Sequence, residues 1–159
     1  MNRLLDHMTR QLASSRRLLE IVLGQNAAIR RQDTEAVLAS LSDVQAEMAY
    51  RAQLETEREV IFRTASTQHG IGIEGLDLES LLVGMPAEEA AEARSLSAEL
   101  VGLVREIGRI HEQNRVLLRQ ELAFLDHLMR AMSGTPQGGY TPSGWAGTRA
   151  AVNTVDARA

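Results

Sequence analysis

The side chains best suited to chemistry are four histidines, at positions 7, 69, 111 and 127, and a scatter of carboxylates. A di-iron site in a helical bundle needs a Glu three residues ahead of each His, so that both project inward from one face. Those positions hold Leu4, Ser66, Gly108 and Phe124, and the signature fails. His111 opens the string HEQNR, which starts like the zinc motif H-E-x-x-H, but Arg115 stands where the second imidazole is needed. Cysteine is absent, which removes disulfides, thiolate metal ligands and thiol nucleophiles together. Neither a phosphate-binding loop nor a G-x-S-x-G nucleophile turn occurs. Glu121 sits alone on an apolar helical stripe, without the partner and pocket that acid–base catalysis wants. The expectation is histidines at surface or boundary positions, no metal, no cofactor and no enzymatic activity.

Two other residue pairs stand out. Asn26 and Asn114 interrupt apolar seams, where a polar residue penalises slipped packings; register control is the simplest role for them. The chain is only 3% aromatic, yet Tyr140 and Trp145 fall in GGYTPSGW, a Gly/Pro stretch that cannot hold a helix. Such aromatics either fold back onto the body or serve as a handle for a partner.

The elements that position these residues read as helices. Leu5, Met8, Leu12, Ser15, Leu19, Val22, Asn26 and Ile29 follow alternating three- and four-residue steps, which makes one helical stripe. Asp33 or Thr34 can cap a second helix, although no Gly or Pro enforces a break and one kinked helix stays open. The second stripe is Val37, Leu41, Val44, Met48, Arg51, Glu55, Arg58 and Phe62, with Leu54 and Ile61 pulling the apolar face sideways. It fades at TASTQHGIGIEG, a glycine-rich loop. LDLESLL then suits a single turn capped by Asp77. Pro86 and the acids Glu88, Glu89 and Glu92 open the third long helix. Its stripe runs from Ala93 through Leu96, Leu100, Leu103, Ile107, Ile110, Asn114, Leu117, Glu121 and Phe124 to Leu128, before Gly134 and Pro136 stop it. The expected long helices span about 3–31, 34–68 and 87–132. They form an all-α, antiparallel, partly coiled-coil-like bundle in a domain of residues 1–132. Residues 133–159, holding five of the twelve glycines and two of the three prolines, are expected to be a flexible, disordered tail.

With 159 residues, 44% hydrophobic and 24% charged, a packed core is within reach. The net charge of −4 speaks against nucleic acid, whose phosphates call for a basic surface. Every basic residue is Arg, and the third helix region is the acidic one. No h-region of a signal peptide and no run of eighteen apolar residues is present, so a cytoplasmic protein without membrane insertion is expected.

The order of these features resembles a known family. IHEQNRVLLRQELAFLDHLMRAM followed by YTPSG is similar to the C-terminal region of the FlgN-type flagellar export chaperones. In that family an Asn precedes leucines on the last long helix, and Tyr-x-x-x-Gly follows a short linker, here Tyr140 to Gly144. The earlier QNAAIRRQDTEAVLASLSDVQAEM resembles the family's first helix junction. The resemblance covers about residues 1–145; Trp145 and the longer, Ala-rich end depart from it. It implies a cytoplasmic, non-enzymatic helical chaperone without cofactor. Such a chaperone binds the C-terminal helical segments of hook–filament junction proteins, prevents their early assembly and delivers them to the cytoplasmic domain of the export gate. It further implies export-gate docking through Tyr140, with Gly144.

For cargo we select Leu117, Leu118, Leu122, Leu125 and Leu128, in the C-terminal half of the third helix. An amphipathic helix can accept a partner helix there. A three-helix body must also bury most of its leucines, so core packing is the alternative for each. The free chaperone is expected to be a monomer or weak dimer. The competing reading is a structural coiled-coil scaffold or adaptor that seals the same stripes in a stable homo-oligomer.

Overall fold

The computed structural model describes residues 2–70 and 72–133; the expected tail from residue 134 onward lies outside them. Helix α1, Arg3–Arg30, starts at Asn2, whose side-chain oxygen accepts the Leu4 N–H at 3.0 Å. The chain reverses at Arg31–Asp33, with Gln32 at φ 57°. That left-handed conformation costs a non-glycine residue about 1–2 kcal/mol. The Asp33 carboxylate accepts the Ala36 N–H at 3.0 Å and so caps α2, Thr34–His69. The first two helices are therefore separate. Helix α2 ends at Gly70, φ 67°, the left-handed cap that glycine adopts without strain.

A single 3₁₀ turn, Ile73–Gly75, leads to the short α3, Leu78–Leu82. Asp77 caps α3 as its sequence position suggested, accepting the Ser80 N–H at 2.8 Å. Pro86 then stands at the N-cap of α4, Ala87–Met132, 46 residues long. The three long helices match their expected spans to within a residue, and no strand occurs among the described residues.

Contacts fix the directions. Arg10 reaches Glu57 and Arg17 reaches Glu47, so α2 runs back along α1. Asn2 reaches Glu89, Arg16 reaches Glu99, and Asn26 reaches Asn114, so α4 runs with α1. Consecutive long helices alternate in direction. Helix α1 packs on both others, while α2 and α4 make little contact with each other.

The interior is built in patches. At one end Met8, Leu82, Ala90 and Ala93 form a cluster with Leu4, Leu5, Leu78, Met85 and Leu96 around it. Further along, Leu18, Val22 and Ile110 pack with Leu19, Val44 and Ile107. Between the clusters α1 turns Ser14 and Ser15 inward, both essentially inaccessible. Ser14 donates to Glu47, and Arg51 donates to the Ser15 hydroxyl at 3.1 Å. Glu47 is buried and also accepts from Arg17 Nε at 3.0 Å. Burial alone would push its carboxyl up, but the bonds from Arg17 and Ser14 outweigh that and hold it below its usual range.

Two expectations need correction here. The second stripe is only partly the one that meets α1: Val44 packs there and Arg51 bonds Ser14 and Ser15. The residues of α2 that are buried are Ser40, Glu47, Leu54 and Ala65, whereas Leu41 and Met48 are exposed. The seam facing α1 is largely polar, so an apolar count selects the wrong face. His7 is not a surface or boundary residue: it is buried, its Nδ1 is 3.6 Å from Glu57, and neither ring nitrogen has a hydrogen bond. Burial lowers its pKa below 6.5, more than Glu57 raises it. His111 and His127 are exposed as expected.

Candidate functional site

The site forms where α4 outruns its support. Helix α1 ends at Arg30, and in the turn behind it the Gln32 amide donates to Glu121 at 3.4 Å. Just before this point the seam carries a polar lock. Asn114 is buried; its amide donates to the Val22 carbonyl at 2.9 Å and to Gln25 at 3.0 Å, and its oxygen accepts from Asn26 at 2.7 Å. Every polar atom of Asn114 is thereby satisfied, and α4 can slide along α1 only by breaking all three bonds. The register role expected of both asparagines is what the geometry provides.

Beyond Glu121 α4 continues to Met132, a further 16 Å or roughly three turns. Arg130 pairs with Asp126 along this stretch, and the Ser133 N–H closes the last turn on Met129 at 3.0 Å. Leu122 is 66% exposed, Leu125 50% and Leu128 42%. Leu117 and Leu118, alongside the end of α1, are half-buried. The structure thus brings the five selected leucines onto one continuous surface and divides them at the end of the body.

Sequence reasoning left out two members of that surface. Met129 and Met132 are largely exposed. With Leu118, Leu122 and Leu125 they make steps of four, three, four and three, a second stripe beside Leu117, Glu121, Phe124 and Leu128. At 100° per residue the two stripes together cover an arc of about 160°, with Arg119, Asp126, His127 and Arg130 on the opposite side. The spacing from Leu118 to Met132 was the available signal. A shallow pocket of about 450 Å³ between Arg30, Arg109, Glu112, Gln113, Val116 and Leu117 continues the surface back along the body.

Chemically this surface offers apolar packing. Among the described residues no group of three or more His, Cys, Asp or Glu is placed to hold a metal ion. No described helix is long and apolar enough to cross a membrane. What the geometry offers is a broad apolar helical face, flexible in its methionines, held out past the bundle.

Residues 1–147 match the family model described as FlgN protein. The chain belongs to the FlgN family. It is thereby a flagellar export chaperone in the general sense, as the helical order and the Tyr-x-x-x-Gly spacing implied. No curated protein and no solved structure matches the chain. The family match includes the free end of α4. It also includes Tyr140 and Gly144, which lie outside the described residues, as does Trp145.

Proposed function

We propose that this FlgN-family chaperone acts in the cytoplasm, with residues 1–132 as its chaperone domain, and binds the C-terminal helical segments of hook–filament junction proteins. The cargo seat is the free end of α4. The observation that carries this reading is the exposure of Leu122, Leu125 and Leu128 on a helix continuing beyond the Gln32–Glu121 bond at the end of α1. Leu117 and Leu118 form the inner edge of the seat. A cargo helix laid along this face covers apolar surface on both partners, and full burial of each leucine contributes about 1.5–3 kcal/mol before the cost of association. Covering the cargo's own stripe keeps it from assembling early.

Delivery to the cytoplasmic domain of the export gate is assigned to Tyr140, with Gly144. A tyrosine beside Gly and Pro supplies apolar ring area and one hydroxyl to a pocket. Cargo seat and gate anchor then use different residues, so cargo and gate do not compete for the same side chains.

Isothermal titration of the full chain with the C-terminal helical segment of a junction protein from the same organism tests the reading. Micromolar or tighter binding near one-to-one, with a negative heat-capacity change, is expected. Leu122→Asp should weaken it by at least about tenfold with helicity unchanged, while Tyr140→Ala leaves cargo binding intact and weakens gate docking. Absence of heat at several temperatures, together with a stable homo-oligomer that Leu122→Asp dissociates, would replace the chaperone seat with the scaffold reading.

A further inference from the structure

The body itself leaves one side open. Helices α2 and α4 both lie against α1 and barely meet each other. Between them runs a groove of about 420 Å³, with Gln11 and Ser15 of α1 in its floor. Leu100, Val101 and Val104 of α4 line one wall. Val101 and Val104 are about half exposed, at 47% and 53%. On the other wall Met48, also half exposed, lines an adjoining pocket together with Gln11 and Arg51. Leu41 and Met48, which the sequence assigned to the bundle seam, are thus left outside the contact with α1.

The charge in this groove runs against that of the whole chain. Arg51, Arg58 and Arg105 line it against one acid, Glu55, on a protein of net charge −4. Glu55 is already paired with Arg58 at 2.8 Å. Arg51 donates to the Ser14 and Ser15 hydroxyls rather than to a carboxylate. Arg105 has no carboxylate partner among the described residues. The buried Glu47 carboxylate also lies within electrostatic reach of Arg51, so Arg105 is the guanidinium that stands beside the exposed apolar strip without a carboxylate among the described residues.

We infer that this groove accepts a single amphipathic helix from a protein partner, one with acidic residues flanking its apolar stripe. The helix lies between α2 and α4 and completes a four-helix bundle. The apolar stripe covers Val101, Val104 and Met48, which stand about half exposed among the described residues. The flanking carboxylates meet Arg105 and the arginine-rich lining around it, where a basic helix would place like charges together. This surface uses no residue of the free end of α4, and its test is independent of the cargo seat proposed there.

Fluorescence anisotropy on the full chain provides the test, with two designed helical peptides of about 20 residues, long enough to hold a helix. Both carry leucine at i, i+3, i+4 and i+7; one is flanked by Glu and the other by Lys. The Glu peptide is expected to bind at least about tenfold more tightly than the Lys peptide. Val104→Asp and Arg105→Glu should each weaken it by a similar factor, and Leu122→Asp should leave it unchanged. Circular dichroism checks that each variant keeps its helicity, and Arg105→Glu, wholly on the surface, carries the test if Val104→Asp does not fold. Equal binding of the two peptides would overturn the proposal. So would loss on Leu122→Asp with none on Arg105→Glu, which moves the peptide to the end of α4. A dimeric mass for the free protein that Val104→Asp makes monomeric would hand the groove to a second copy and also overturn it.

Discussion

Residues 87–121 and 122–132 belong to one uninterrupted helix, α4, and carry one continuous apolar stripe. In the first part Ala93, Ile110 and Asn114 are buried against α1; in the second Phe124 and Leu128 lie open. Nothing in the amino-acid types marks the change. It falls where α1 ends, because an apolar stripe is buried only as far as another element runs beside it. The comparison teaches that α4 is a structural seam and a presented surface in sequence, and that a partner's length sets the boundary.

The sharpest way to break the comparison is to put the same charge on each part. Ile110→Asp, inside the second cluster, should destabilise the fold by about 3 kcal/mol or more, because a carboxylate would be buried without a partner. Leu125→Asp should change stability by no more than about 0.5 kcal/mol. Urea unfolding followed by circular dichroism measures both. Equal losses would mean that the end of α4 is covered after all.

Asn114 sharpens the boundary from the covered side. Asn114→Ala leaves the Val22 carbonyl and the Gln25 side chain without their donor. An expected loss of about 1–3 kcal/mol follows from unsatisfied buried groups. Asn114→Leu would distinguish register from stability: a retained melting temperature with weakened cargo binding would show that the lock positions the free end.

Acidification should loosen the body through His7, which is buried where His127 on the free end is not. Burial holds the folded imidazole below its ordinary 6.5, so protons bind the unfolded chain first. This contribution is complete above pH 6.5 and is lost progressively as the pH falls from there through the folded pKa. Glu47, whose folded carboxyl is held low, adds a separate loss within and below the usual carboxylate range. His7→Leu should remove the first step of a stability–pH profile and spare the second; a profile unchanged below pH 6.5 would show that His7 does not titrate with unfolding.

The smallest effect is expected at the reversal beside the start of the free end. Gln32→Gly relieves a left-handed conformation but adds unfolded-chain entropy, so the net gain should be at most about 1 kcal/mol. A shift in thermal midpoint would register it. Any loss would point to the weak Gln32–Glu121 contact as the brace of α4.

Legibility followed polarity. The α1–α4 seam was readable because Met8, Leu12, Val22 and Ile110 are apolar and evenly spaced, and Asn114 was visible as an interruption. The α1–α2 seam was not, because Ser14, Ser15 and Glu47 are buried within bonds among Ser14, Glu47, Arg17 and Arg51, and Ser40 is buried with its hydroxyl bonded back to the Val37 carbonyl. A polar residue becomes a core residue only when its partner arrives, and single-chain periodicity does not show the partner. His7 is buried without a hydrogen bond on either ring nitrogen, a placement that its residue type argues against. The candidate site was readable in its leucines, while Met129 and Met132 were left out although they continue the stripe of Leu118, Leu122 and Leu125.

The sequence by itself determined the helices. Asn2, Asp33, Asp77 and Pro86 start them, Gly70 stops one, and their spacing and the family pattern need no tertiary information, because capping and periodicity act within a few residues. Only the tertiary structure decided which stripes are covered. It placed α1 in the middle, turned Leu41 and Met48 away from it, left α2 and α4 apart, and carried α4 past the end of α1. Those outcomes depend on lengths and pairings of elements far apart in the chain. Burial is a property of two surfaces that meet, and one surface does not state it alone.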